Sequence, residues 1–526
     1  MSPTQPSQSL LLLLQQRLEA ARAQDTAVRE QNASGNIIKV PGVGKRISTA
    51  YEQLRNAAEY TEEHLLLQRA IRRFYKRNLS FFTKRSTPNI GEELIVELTQ
   101  AGYLRNGDFS AETVLKINSF TQEHIELHSQ LRQAHVPRDE ANDWVLSILS
   151  VETEELLNPH SHLTALAYVV TQHYLELFPR ESLLARPEEA AAYDISMYIA
   201  VHQALLKSDI SIVRHDLMNM YRHTLTDIHQ FIEFNRNATA LYTSPLTIRL
   251  KRAVSKHCAP FRILKSMVEE HTNITELLAD QSVFSNAYGT QTNHEYKRVR
   301  SRLNKGIIKS IVFILITKMV IGIGIEVPYD LIVVGSIAFL PLGINLLVPP
   351  LYMASLKLGL KVPSSANAHA LRVYIEKALY SDEAPMPPML SNIMKTASTF
   401  SKLLYGVLFF IPFAILVYGL ILLHFNVVQT IIFFVFLSTA SYLGFRLSSM
   451  IRELELVSHE VNFLTTVRDF FYLPFILVGQ WLSSKYARIN AVAHVLDILI
   501  ELPLKTALRL LRQGMRFLNE KHEELY

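Results

Sequence analysis

The sequence predicts an all-α protein made of an N-terminal cytoplasmic helical domain, a four-helix transmembrane bundle and a C-terminal amphipathic helix. Three observations support this prediction. The first 300 residues show helical periodicity, interrupted by proline and glycine, with little period-2 alternation. Four long apolar runs then follow, and the end of the chain has the pattern of a helix with one basic and one apolar face.

The polar part of the chain is predicted to hold a helix and linker at 1–45 and an all-helical domain at 46–303. Proline and glycine mark its helix ends, for example at Pro41-Gly42, Pro137 and Pro245. The apolar run Leu10–Leu14 is too short for the core of a signal peptide, and no basic segment precedes it. We therefore expect the first helix to be retained.

Composition excludes several classes of protein. Cys258 is the single cysteine, so a disulfide framework and a cysteine-based zinc site within one chain are excluded. The net charge of +5 and the pI near 9.0 are explained by basic residues beside the apolar runs, and nucleic acid is not expected as a partner. The sequence contains no recognisable cofactor or catalytic motif, so we expect no cofactor and favour a non-enzymatic role.

A cluster of basic and aromatic residues lies at 69–85, where arginines surround Phe74 and Tyr75. Such a cluster can bind anionic lipid head groups or nucleic acid. It can also be a solvated helix face whose aromatic side chains point into the core, which is the interpretation we favour.

The four apolar runs predict transmembrane helices. Each is long enough to cross a hydrocarbon layer about 30 Å thick, which takes roughly 20 helical residues. A loop at 354–402, expected on the cytoplasmic side and to contain a short helix at Ala366–Tyr380, separates two closely spaced pairs. The predicted spans are Ile307–Ile325, Leu331–Met353, Leu403–Leu423 and Val427–Phe445.

Charge predicts the orientation of these spans. Lysine and arginine are concentrated before the first run, in the loop 354–402 and after the fourth run, whereas the links at Glu326–Asp330 and His424–Asn426 contain neither. Positive charge favours the cytoplasmic side of a membrane. We therefore expect a multi-pass protein of the cytoplasmic membrane with both termini in the cytoplasm.

Two polar residues within the apolar runs are candidates for a function inside the membrane, Lys318 and Asn345. A lysine at the centre of a span costs about 2.5–3.5 kcal/mol, which the apolar residues of the same run outweigh. Lys318 could face a polar crevice or pair with Glu326 or Asp330. Alternatively, it could extend toward the membrane surface or form a polar contact between helices.

The region 449–526 is predicted to lie along the membrane surface. Phe470–Leu482 is apolar but has only 13 residues and contains Pro474, which suits an interfacial or re-entrant segment better than a fifth span. The following helix could rest on anionic head groups or dock against the helical domain. Its basic face consists of Lys505, Arg509, Arg512 and Arg516.

Histidines are dense between His124 and His229 and raise the possibility of a metal site. His124 and His128 are four residues apart, which places both imidazoles on one face of a helix at a spacing that suits a metal. His215-Asp216 is similar to the His-Asp pair of helical metal-dependent phosphohydrolases. Structural or surface histidines are the favoured alternative.

The C-terminal stretch from Arg468-Asp-Phe-Phe-Tyr-Leu-Pro474 through Glu501-Leu-Pro-Leu-Lys505 resembles uncharacterised bacterial multi-span membrane proteins. This resemblance implies a membrane location and brings no activity, ligand or catalytic residue. The leading functional hypothesis is a membrane scaffold that holds a helical platform at the inner surface, with the lipid bilayer and its anionic head groups, a cytosolic protein or a second copy as partners. The alternatives are a small-solute transporter or channel that uses Lys318, and a membrane-tethered metal-dependent hydrolase.

Overall fold

The computed structural model describes residues 9–42, 45–49, 52, 65–79, 89–221, 227–359, 363–381, 399–456 and 463–489. Helices account for 85% of the structure, and these ranges contain no β-strand. The prediction of an all-α protein is therefore confirmed. The described residues divide into two compact units, one within Met1–Val254 and the other within Ser255–Ile489. This division falls some 50 residues before the boundary at 303 suggested by the sequence.

The first unit is a helical assembly. Its helices are α1 (Leu10–Ala33), α2 (Leu66–Asn78), α3 (Ile90–Ala101), α4 (Ala111–Gln133), α5 (Arg138–Leu157), α6 (Ser161–Leu177), α7 (Tyr193–Val201), α8 (Ile210–Met220), α9 (Ile228–Tyr242) and α10 (Pro245–His257). A helical turn at Arg180–Leu183 and a 3₁₀ segment at Pro187–Ala192 precede α7, and a π-helical segment at His202–Leu206 follows it.

Helix α5 lies at the centre of this unit and packs against α2, α4 and α8. Trp144, Ile148 and Leu149 are buried, and the helix has buried side chains on most of its faces. Because buried side chains lie on most of its faces, this helix has neighbours on most sides and contributes to the core of the unit.

The aromatic residues of α2 lie in the core, as the favoured interpretation of the basic cluster requires. Phe74 and Tyr75 are almost fully buried. The neighbouring arginines form ion pairs within the unit, at 2.5 Å for Arg72 with Asp143, 2.7 Å for Arg73 with Glu52 and 2.6 Å for Arg77 with Glu97. These guanidinium groups therefore contribute to the fold of the helical unit.

The second unit contains α11 (Ala259–Glu270), α12 (Ile274–Ala279), α13 (Gln281–Ile321), α14 (Phe339–Gly359), α15 (Ser365–Tyr380), α16 (Thr399–Leu422), α17 (Val427–Arg452) and α18 (Phe463–Ile489). Helix α15 begins one residue before the helix predicted in the loop 354–402 and ends at the predicted residue.

The predicted link at Glu326–Asp330 is wrong, because the chain stays helical there. Helix α13 continues through a π-helical segment at Gly322–Glu326, a turn at Val327–Tyr329 and a second π-helical segment at Asp330–Val334. The chain reverses only after Gly335, whose φ of 81° suits glycine. Residues 331–334, assigned from the sequence to the second span, therefore belong to the first helical run.

Two helices, Gln281–Val333 and Val427–Arg452, contain a stretch that is long and apolar enough to cross a membrane by length and composition. Two shorter apolar helices are Phe339–Ser355 and Leu408–Leu422. Within the described residues, two helices thus meet this test where the sequence predicts four. Proline at 349, 350 and 412 lies inside the shorter pair.

Helix α18 extends well beyond the predicted interfacial segment Phe470–Leu482 and forms one helix of 27 residues with Pro474 inside it. It packs against α17, and Phe475 stacks on Phe434 and lies 4.7 Å from the ring centre of Phe413. The basic face formed by Lys505, Arg509, Arg512 and Arg516 lies outside the described residues.

Candidate functional site: a buried polar network in the second unit

Lys318 forms a buried ion pair in the last turn of α13. Its Nζ contacts Glu326 Oε1, and the side chains of both residues are at most 1% exposed. The same Nζ lies 4.9 Å from the ring centre of Phe436 in α17, within the range of a cation–π contact. The sequence suggested Glu326 or Asp330 as the partner of Lys318, and the structure shows Glu326.

The π-helical segment explains how these two residues meet. In a regular α-helix, residues eight apart are about 80° from alignment, because each residue turns the helix by about 100°. The i→i+5 bonds of the π-helical segment Gly322–Glu326 place more residues in each turn and rotate Glu326 toward the face of Lys318.

Asn345 connects this ion pair to two further helices. Its Nδ2 donates to Glu326 Oε1 at 3.1 Å and to the backbone oxygen of Gln429 at 3.2 Å. Asn345 lies in α14 and is fully buried. One amide group therefore joins the helical run of α13, α14 and the first turn of α17.

Asp330 forms the second half of the network. Its carboxylate accepts hydrogen bonds from Gln429 Nε2 at 2.9 Å, from Asn426 Nδ2 at 2.8 Å and from the backbone N–H of Ala338 at 3.3 Å. Asn426 and Gln429 also form the capping box that begins α17. The carboxylate of Asp330, in the helical run that continues α13, therefore binds the start of α17.

Two acceptor atoms in this network have no hydrogen-bond donor among the described residues, and we call them the open oxygens. Glu326 Oε2 and Asn345 Oδ1 are buried and have no hydrogen-bond partner among the described residues. A buried acceptor without a donor costs about 1–3 kcal/mol. Each of these oxygens can therefore accept a hydrogen bond from a water molecule or contact a cation.

Histidine and carboxylate side chains meet at a second place, in the first unit. His215 Nδ1 in α8 lies 3.4 Å from Glu155 Oε1 in α5 and 3.9 Å from Asp216 Oδ1. The ligand atoms of these three residues all lie within 4.8 Å of one another. Burial lowers the pKa of His215, but the negative charges of Glu155 and Asp216 outweigh this effect and hold it well above 6.5.

The other oxygen of Asp216 faces two further side chains. Thr164 Oγ1 in α6 donates to Asp216 Oδ2 at 3.4 Å, and His202 Nε2 lies 3.7 Å from the same oxygen. His202 begins the π-helical segment that follows α7 and is fully buried. Elements from four parts of the sequence thus converge on Asp216.

The other predicted histidines are placed elsewhere. His124 Nδ1 donates to the backbone oxygen of Phe120 at 2.8 Å, and His128 Nε2 lies 3.1 Å from Asn142 Oδ1. Both lie on the buried face of α4, and among the described residues neither belongs to a group of three potential metal ligands.

Sequence reasoning missed several members of both clusters. Glu155 and Asn426 were not singled out, and His202 was one of many histidines. Each joins its cluster through a contact between distant helices, for which the local sequence pattern carries no signal. The i,i+3 spacing of Asn426 and Gln429 was a detectable sign of a capping box.

No protein-family model matches the chain, and no curated protein or solved structure shows a significant similarity to it. The comparisons therefore add nothing to the resemblance of the C-terminal stretches to multi-span membrane proteins.

Proposed function

We propose that this chain is a multi-pass protein of the cytoplasmic membrane that serves as a membrane-anchored helical scaffold. In this proposal four spans hold the bundle, both termini face the cytoplasm, and the N-terminal helical unit is an interaction platform for a cytosolic protein or a second copy. Anionic head groups contribute through the basic C-terminal helix.

Exposed apolar side chains in the second unit support the membrane location. Ile323, Ile332, Leu351 and Phe410 are more than 60% exposed. Many large apolar side chains exposed in this way are costly in water and favourable in lipid. The two long apolar helices and the two shorter ones carry most of it.

The pairing of Lys318 with Glu326 is the observation that carries the scaffold proposal. The lysine charge is balanced by a carboxylate of its own helical run. Asn345 in α14 donates to that carboxylate and to the backbone oxygen of Gln429 in α17. Polar groups bonded to one another in this way hold helices together.

A second function, passage of a small solute or proton through the bundle, is favoured by the open oxygens Glu326 Oε2 and Asn345 Oδ1. Ionisable groups inside membrane spans commonly mark ion or proton pathways. The π-helical segments on both sides of Val327–Tyr329 are of a type found at functional sites.

A flux assay separates the two functions. Full-length protein is reconstituted into liposomes and exposed to gradients of H⁺, Na⁺, K⁺ and Cl⁻. The scaffold proposal expects flux equal to that of protein-free liposomes. A pathway through the bundle would give flux in the wild type and in the control Lys309→Leu, on the exposed face of α13, but none in the double variant Lys318→Leu/Glu326→Leu. That result would contradict the scaffold proposal.

A further inference from the structure

We propose that Glu155, His215 and Asp216 bind one divalent transition-metal ion in the first unit, with Thr164 and His202 orienting the carboxylate of Asp216. This inference goes beyond the scaffold proposal, because the site lies in the helical unit and needs neither the membrane nor a protein partner.

The spacing of the three ligand atoms suits coordination. Metal bonds to histidine nitrogen and carboxylate oxygen are about 2.0–2.2 Å long, which separates two tetrahedral ligands by roughly 3.4 Å. The distances from His215 Nδ1 to Glu155 Oε1 and Asp216 Oδ1 are 3.4 Å and 3.9 Å. The first of these distances equals the expected separation, and the second exceeds it by about 0.5 Å.

The surroundings of Asp216 resemble the support that metal-binding carboxylates need. Oδ1 faces His215, whereas Oδ2 accepts a hydrogen bond from Thr164 and faces His202. His202 Nε2 is fully buried and has no hydrogen-bond partner among the described residues, although it points at this oxygen from 3.7 Å. Such outer contacts fix the orientation of a ligand and raise metal affinity.

The ligand set and its exposure indicate which ion fits. One imidazole and two carboxylates suit Zn²⁺, Mn²⁺ or Fe²⁺ better than a thiolate-seeking ion. His215 and Asp216 are almost fully buried, whereas the side chain of Glu155 is 36% exposed. Glu155 thus provides the side from which an ion and a coordinating water enter.

The test is metal binding to the purified full-length protein in detergent after removal of metal by a chelator. We expect about one equivalent of Zn²⁺ or Mn²⁺ per chain in equilibrium dialysis with elemental analysis. Glu155→Gln should weaken binding by roughly tenfold or more, since a ligand contributes at least as much as an outer contact. Glu140→Gln, the same change at an exposed position of α5, should leave binding unchanged.

A second group of potential ligands could bind the metal in place of the proposed site. Glu270, His294 and Glu295 lie close together at the surface, where Arg298 forms ion pairs with both glutamates at 3.2 Å. Binding that is lost in Glu295→Gln but kept in Glu155→Gln would overturn the proposal. So would absence of metal from wild-type protein whose circular dichroism shows it to be folded.

Discussion

At the scale of single residues, Lys318 illustrates how a charge is accommodated among apolar helices. Its ammonium group contacts a carboxylate and the face of Phe436, so both halves of the ion pair are compensated inside the protein. Removing one member of a buried ion pair leaves an uncompensated charge, whereas removing both leaves a merely apolar contact.

Single and double substitutions of this pair should therefore differ strongly. We expect Lys318→Leu or Glu326→Leu alone to lower the free energy of unfolding by about 3–5 kcal/mol, and the double variant to recover much of that loss. Denaturant unfolding in detergent measures the cycle. Lys309→Leu, at an exposed position of α13, is the control and should change little. Additive losses in the double variant would contradict a direct pair.

At the scale of helices, the contact between α17 and α18 depends on a glycine. A Cβ atom added at Gly479 would lie 2.1 Å from the backbone oxygen of Ser438 and 2.7 Å from Tyr442 Cβ. Distances this short require the helices to move apart, since backbone atoms cannot rotate away. The close approach of these two helices therefore requires the absence of a side chain at 479.

Gly479→Ala should accordingly destabilise the second unit by about 1–3 kcal/mol, the usual cost of overpacking. Gly419→Ala in α16 is the matched control, because nothing lies within 4 Å of its added Cβ and alanine favours helix. Thermal unfolding of both variants gives the comparison. Equal melting temperatures for Gly479→Ala and the wild type would contradict the close contact between α17 and α18 at this position.

At the scale of the whole molecule, the proposed topology makes a prediction about the two sides of a membrane. The reversal at 335–338 should face the outside, whereas the N-terminal unit and the end of α15 should face the cytoplasm. The chain suits cysteine mapping because its single cysteine, Cys258, is fully buried and can be replaced by serine.

In the Cys258→Ser background, Ser336→Cys should react with a membrane-impermeant maleimide on intact cells. Ser34→Cys and Ser381→Cys should react only after permeabilisation. All three serines are exposed in the structure. A failure to react on intact cells therefore means that the membrane separates the cysteine from the reagent, and not that the cysteine is buried in the protein. Labelling of Ser336→Cys and Ser381→Cys from the same side would contradict the single crossing that the proposed topology places between these two positions.

The helical character of the chain, the positions of the apolar runs, the helix near Ala366–Tyr380 and two candidate partners for Lys318 could be predicted from the sequence. These follow from local periodicity, composition and spacing, which need no knowledge of neighbouring helices. Only the packing of the helices shows that Glu326 is the partner of Lys318, that the chain stays helical to 334 and that Glu155 and His202 lie near Asp216. Each of these depends on π-helical winding or on contacts between helices far apart in sequence, whose energies no local pattern contains.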